Sequence, residues 1–254
     1  MSSFDLIQFP GDERLARTVA DEWLKELEAA NPNPKRPYCV ALSGGRIARR
    51  FFSAVADLAK TRGSCFASVH FFWGDERCVP PTDPESNFAL AQELLLRPLN
   101  IPENQIHRIR GELLPPEAAA QAQAEITRIA PLNAEGQPIL DLIFLGMGED
   151  GHVASLFPGE TEDLMRSPEI FRPVVAVKPP PHRITIGYPT IAAARQAWVL
   201  ASGPGKEAAL RECRGPGGKN PLVRVIKLRS HTKIFTDIAM EDRPGFSQSE
   251  KKEK

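Results

Sequence analysis

A chain of 254 residues, 42% hydrophobic, with 32 acidic and 32 basic side chains, has room for one large folded core and no excess charge to grip a nucleic-acid backbone. Asp5, Asp12 and Glu13 interrupt the start of the chain and no apolar run approaches a membrane span, so a soluble, cytoplasmic protein without a signal peptide is expected. Cys39, Cys65, Cys78 and Cys213 lie far apart, without metal-ligand or CxxC spacing, as suits reduced thiols.

Residues 4–9 read as a first edge strand, and Asp12 opens an amphipathic helix in which Leu15, Val19, Trp23 and Leu27 recur at every fourth position. A proline-rich loop at 31–37 leads into an apolar strand, Tyr38–Leu42, which runs straight into Ser43, Gly44 and Gly45. From Arg46 the pattern turns helical, with Ile47, Phe51, Val55 and Leu58 on one side. A strand, a Ser-Gly-Gly turn and a helix start form either an ordinary turn or an anion site, built on the unpaired amides of the helix N-terminus. Phosphate is the anion expected there; of Arg46, Arg49 and Arg50, which add charge nearby, two are expected to be solvated helix residues.

Val69–Trp73 is the next strand, followed by Gly74, Asp75, Glu76 and Arg77. Successive charges after a buried strand are not expected to face the core, so they line a cleft at the strand end or sit in a surface turn. Ser86-Asn87 starts a helix carrying Leu90, Leu94 and Leu95, and Asn87 is either a cap or a polar contact in a site. Residues 98–114 form a connection whose His107 and Arg108 read as surface residues, and 116–129 is an alanine-rich helix.

Residues 139–159 concentrate the chemistry. Ile139, Leu140, Leu142, Ile143, Phe144 and Leu145 have the pattern of a strand covered on both faces in a parallel sheet. Gly146, Gly148 and Gly151 then let backbone amides approach a ligand, with Glu149, Asp150 and His152 among them. A base that takes a proton near neutral pH, beside an acid that orients it, is the minimum for activating water. A tight connection with a surface imidazole is the plainer alternative.

Residues 160–163 read as a solvated acidic turn and 173–177 as a short strand. Lys178, three prolines, His182 and Arg183 stiffen the chain ahead of the alternating Ile184, Ile186 and Tyr188. A cation held there has little freedom to lose on binding an anion; a rigid exposed loop explains it as well. After a strand at 197–201, the turn from Ser202 through Gly205 ends on Lys206, which opposes the dipole of the helix it opens, as an anionic ligand would justify. Residues 223–226 and 233–236 read as closing strands. The whole predicts an α/β protein: a single domain, 1–240, with a mainly parallel, Rossmann-like sheet flanked by helices, and a disordered polar tail at 241–254.

LSGG at 42–45, FWGDER at 72–77, SN at 86–87, LGMGEDGHVASLFPG at 145–159 and KPPPHRITIGYP at 178–189, ahead of the GPGK turn, stand in an order that resembles the 6-phosphogluconolactonases. These belong to the sugar-isomerase-like superfamily, which also holds glucosamine-6-phosphate deaminase. The resemblance spans about 4–240. WGDER and DGHxASLFPG are similar to the lactonases, whereas the deaminases carry a different acidic segment. Arg46-Ile47-Ala48 departs from the usual phosphate loop, losing two hydroxyls for which Arg46 is the available substitute.

The resemblance implies hydrolysis of 6-phospho-D-glucono-1,5-lactone to 6-phosphogluconate in the oxidative pentose phosphate pathway, with no metal or other cofactor. His152 is then the general base, Asp150 its orienting acid, and Arg77 with the glycine amides of 146–151 the oxyanion donors. Arg183, Lys206 and the amides of Ser43, Gly44 and Gly45 would hold the phosphate, with Arg46, Asp75, Glu76 and Asn87 completing the substrate site. A deaminase or related sugar-phosphate isomerase is the competing enzyme, and a non-catalytic sugar-phosphate sensor the competing class. No nucleic-acid or membrane partner is expected; the oligomeric state stays open between monomer and small homo-oligomer.

Overall fold

The computed structural model describes residues 3–30, 36–215 and 217–240, so the expected tail at 241–254 and most of the proline-rich loop at 31–37 lie outside the described residues. In chain order the elements are β1 (Ser3–Gln8), α1 (Asp12–Ala30), β2 (Tyr38–Leu42), α2 (Arg46–Arg62), β3 (Val69–Trp73), β4 (Asp75–Arg77) and α3 (Asn87–Ala91). There follow α4 (Pro115–Ile129), β5 (Leu142–Gly146), α5 (Glu162–Met165), β6 (Phe171–Val175) and β7 (His182–Ile186). The chain closes with α6 (Tyr188–Ala193), β8 (Gln196–Ala201), α7 (Glu207–Arg214), α8 (Pro221–Leu228) and β9 (His231–Thr236).

Strands separated by helices cannot pair as hairpins, and here they form a six-stranded, all-parallel sheet in the order β1-β9-β8-β5-β2-β3. Every residue of β2 is buried, as expected of a strand covered on both faces. Leu15, Val19, Trp23 and Leu27 of α1 turn inward, and the Trp23 ring meets Phe51 of α2 at 6.0 Å and Phe144 of β5 at 5.2 Å. Each such buried aromatic contributes about 1.5–3 kcal/mol relative to exposure.

The order reverses between β2 and β5. From β2 the chain moves outward to β3; from β5 it moves the other way, to β8. The carboxyl ends of strands flanking such a reversal leave a crevice between diverging connections, and that crevice is where ligands of open α/β sheets bind. A second sheet, not anticipated from the sequence, has the antiparallel order β4-β7-β6. It begins at the carboxyl end of β3, because β4 follows directly after Gly74, whose carbonyl accepts from Ile186 N at 2.8 Å.

Several expectations need correction. Residues 139–141 precede β5 rather than belonging to it, because Asp141 Oδ2 accepts from Cys39 N at 2.9 Å and its side chain replaces a ladder bond. Residues 223–226 are not a strand but the interior of α8: Asn220 accepts from Val223 N and Pro221 occupies the first turn, a cap-and-proline start that outweighs the β-branched residues after it. The expected strand at 173–177 lies two residues earlier, as β6. His107 is buried, not on the surface: its Nδ1–H donates to Glu125 Oε1 at 2.8 Å, and its Nε2 accepts from His70 Nδ1–H at 2.9 Å. Arg108 is half-buried, forked onto both carboxylate oxygens of Glu112. Glu160 is no solvated turn residue either, since its carboxylate accepts from Arg172 Nη2 at 2.6 Å with both side chains inside.

Candidate active site

The glycine turn after β5 ties an imidazole to an acid. His152 Nδ1–H donates to Asp150 Oδ1 at 2.5 Å, and His152 N donates to the same oxygen at 3.1 Å. Gly148 is required beside the pair, because a Cβ there would lie 2.1 Å from His152 Nδ1 and 2.8 Å from Asp150 Oδ1. Burial works to raise the Asp150 carboxyl, but the His152 backbone N–H and the charge and ring N–H of its imidazole prevail and hold it below the usual Asp range. Among the described residues no hydrogen bond occupies His152 Nε2, which leaves that nitrogen free to take a proton from water.

Beside this turn, at the sheet reversal, is the end of β2. Ser43 Oγ accepts from Gly146 N at 3.3 Å, tying the two strand ends together. The first turn of α2 carries no acidic residue and no side-chain cap, so its amides and dipole stay available to an anion. Arg46 reaches across to the turn after β8, where a Cβ on Gly203 would lie 2.0 Å from its Nη2. Lys206 stands at the start of α7 in the same turn. Burial first, and then the repulsion of Arg46, lower the Lys206 pKa from its ordinary value, against the opposing pull of Asp237 and Glu149. Asp237, just past β9, anchors this turn by accepting from Ser202 Oγ at 2.8 Å and Gly203 N at 3.0 Å. Arg50 pairs with Asp12 at 2.7 Å, and Arg49 is exposed.

The second sheet supplies two further arginines. Arg77 and Arg183 are directly opposed in the β4–β7 register and so share one face. Arg77 Nη1 donates to Glu85 O at 2.5 Å, while its Nε is buried without a partner among the described residues. Arg183 is buried; its Nε donates to Pro180 O at 3.1 Å and its Nη2 to Lys178 O at 3.3 Å, so it braces the proline loop from beneath. Burial and then the neighbouring Arg77 lower the Arg183 pKa, with Asp75 and Glu85 opposing. Phe157 connects this pair to the glycine turn, its ring centroid 4.9 Å from that of His152 and 5.9 Å from the Arg183 guanidinium carbon. Lys178 completes the ring of contacts, 3.8 Å from Glu149 in the glycine turn.

Asp75 and Glu76, expected in a cleft lining or a surface turn, are buried. Asn87, expected as a cap or a polar contact in the site, is buried too, at the first position of α3 behind its N-cap Ser86. Asp75 accepts from Ser155 Oγ at 2.7 Å and Asn87 Nδ2 at 3.1 Å. Glu76 accepts from Asn87 N, Phe88 N, Arg77 N and Ser86 Oγ, and so caps α3 from another element. Asn87 in turn presses on Gly44, where a Cβ would lie 1.8 Å from its Oδ1. These residues hold the two loops that carry His152 and Ser43. Phe157, Ser155 and Thr185, whose Oγ1 accepts from Ser155 N at 3.1 Å, were missed in the sequence, where nothing separates them from ordinary core and capping residues.

Residues 10–235 match the family described as glucosamine-6-phosphate isomerases/6-phosphogluconolactonase. The chain belongs to that family. Within it, the 6-phosphogluconolactonase of Mycobacterium tuberculosis is 35% identical over 84% of this chain and 86% of its own, and that of Haemophilus influenzae 32% identical over 92% and 97%. The solved 6-phosphogluconolactonase of Trypanosoma brucei superposes with a TM-score of 0.80 over 93% of this chain and 97% of its own; at 23% identity it speaks for the family fold. No helix of the described residues is long and apolar enough to cross a membrane.

Proposed function

We propose that this family member hydrolyses 6-phospho-D-glucono-1,5-lactone to 6-phosphogluconate, as a hydrolase of the pentose phosphate pathway. Relatives that carry the lactonase name along most of their length support this reading. The observation that carries it is the Asp150–His152 pair, with Nε2 free, beside an uncapped helix start flanked by Arg46 and Lys206. His152 Nε2 takes a proton from water as the oxygen attacks the lactone carbonyl carbon. The bond from that carbon to the ring oxygen then breaks, and the imidazolium returns the proton to the departing oxygen. Asp150 keeps the Nδ1 proton in place and stabilises the imidazolium.

Arg77 takes the oxyanion without the expected glycine amides, because Gly146, Gly148 and Gly151 N already donate to Ser43 Oγ, His152 O and Gly148 O; the Ser43–Gly45 amides, Arg46 and Lys206 take the phosphate, with Arg183 between the two ends. Asp75, Glu76 and Asn87 act by holding these groups in place. A lactone is an activated ester, so general-base catalysis of about 10²–10⁴-fold and an oxyanion donor of about 10²–10³-fold are sufficient. The direct test is acid release from freshly generated lactone, corrected for spontaneous opening. The wild type should accelerate it and His152→Ala should not; equal rates for the two would remove His152 from the reaction. The sequence supports a soluble cytoplasmic location, to be tested by fractionation.

A further inference from the structure

Phe157 is an aromatic side chain without a place in the core. It is only half-buried, and it does not join the hydrophobic residues packed around the central sheet. Its neighbours are instead two cation-forming groups, the His152 imidazole at 4.9 Å and 50° and the Arg183 guanidinium at 5.9 Å. Two other sides of the imidazole are taken: Asp150 holds Nδ1, and the Gly148 backbone packs so closely that no Cβ fits.

We infer that Phe157 is the positioning residue of the general base, packing against the His152 imidazole so that its open Nε2 keeps one direction. The inference rests on His152 being that base. Two physical effects support it. A single side-chain hydrogen bond leaves a ring free to swing about its side-chain torsions, and an aromatic ring tilted 50° against it, 4.9 Å between centroids, restricts that freedom. When His152 takes a proton it becomes a second cation beside the Phe157 ring, whose face already lies against the Arg183 guanidinium. Both effects act on the step in which the proton moves, not on the sugar or its phosphate. Leu at the same place would fill similar space without the flat face or the quadrupole. Tyr would keep both.

The experiment measures kcat and KM on fresh phosphorylated lactone for Phe157→Ala, Phe157→Leu and Phe157→Tyr, beside His152→Ala. The NMR signal of the His152 Nδ1 proton is followed in each. Expected are a kcat about tenfold lower in the Ala and Leu variants, KM within about twofold of wild type, a weakened Nδ1 proton signal, and recovery of both rate and signal in Tyr. Wild-type kcat in Phe157→Leu, or Leu recovering as well as Tyr, would overturn the inference, as would a raised KM at unchanged kcat. Should the Ala variant fail to fold, the Leu and Tyr comparison decides alone. Full activity in His152→Ala sinks the reading of the base itself; an inactive His152→Ala beside normal Phe157 variants sinks only the role given to Phe157.

Discussion

Ser155 donates its hydroxyl hydrogen to Asp75 Oδ2 at 2.7 Å, joining residues 80 positions apart. Ser155 follows His152 in the same loop, and Asp75 also holds Asn87, which presses on Gly44. One buried carboxylate thereby couples the proton-transfer loop to the anion loop.

Asp75→Asn puts an N–H where an acceptor is needed, and Ser155→Ala removes a donor. Each should lower kcat/KM by about 10- to 100-fold through misplaced loops. Each should also lower stability by about 1–3 kcal/mol, because a buried partner is left unmade. Kinetics and urea denaturation on the same samples check both; full activity in Asp75→Asn would remove the coupling.

Lys206→Met keeps the apolar stem and deletes the cation. The loss of a charged hydrogen bond to phosphate, about 1.5–3 kcal/mol, should raise KM for the phosphorylated lactone about ten- to a hundredfold. Rates on the unphosphorylated lactone should scarcely change. A parallel loss on both substrates would place Lys206 elsewhere in the chemistry.

Gly148→Ala should leave the fold cooperative and disable the site. The added methyl must displace either the imidazole or Asp150 Oδ1. A drop in kcat of about 10²-fold follows from a displacement of about 1 Å. Wild-type turnover in this variant would show that the pair tolerates a different arrangement.

Glu76 gives a pH signature. Burial pushes its pKa up to about 7 even though it accepts from the Asn87, Phe88 and Arg77 amides, against an ordinary value of about 4.3. The folded state therefore holds the proton more tightly than the unfolded one. The stabilisation is full below about pH 4.3 and is lost as pH rises through the folded value. Glu76→Gln lacks this titration, so the advantage of the wild type over that variant should shrink between pH 5 and 8, by an amount up to about 3 kcal/mol. A pH-independent difference in denaturation midpoints would contradict it.

The elements that could be read from the chain were those whose signal is local. The helix after Asp12, the β2 strand with its Ser-Gly-Gly turn and the glycine turn around His152 each announce themselves within twenty residues or so. Burial of Asp75 and Glu76 was illegible because Ser155 and the start of α3, which satisfy them, come near only in the folded chain. His107 was misread for the same reason, with its partners Glu125 and His70 lying 18 and 37 positions away. For α8 the failure was different. Val223, Val225 and Ile226 favour a strand by residue type, while the Asn220 cap and Pro221 set a helix.

Among the described residues the first strand pairs with the last. β1 lies at one sheet edge with β9 as its neighbour, and β9 is also followed by Asp237, the anchor of the Lys206 turn. During synthesis β1 must therefore wait, unpaired, until β9 has emerged before it can dock. Until then the turn that presents Lys206 also lacks its tether, so competence to grip an anion arrives only once Asp237 is translated.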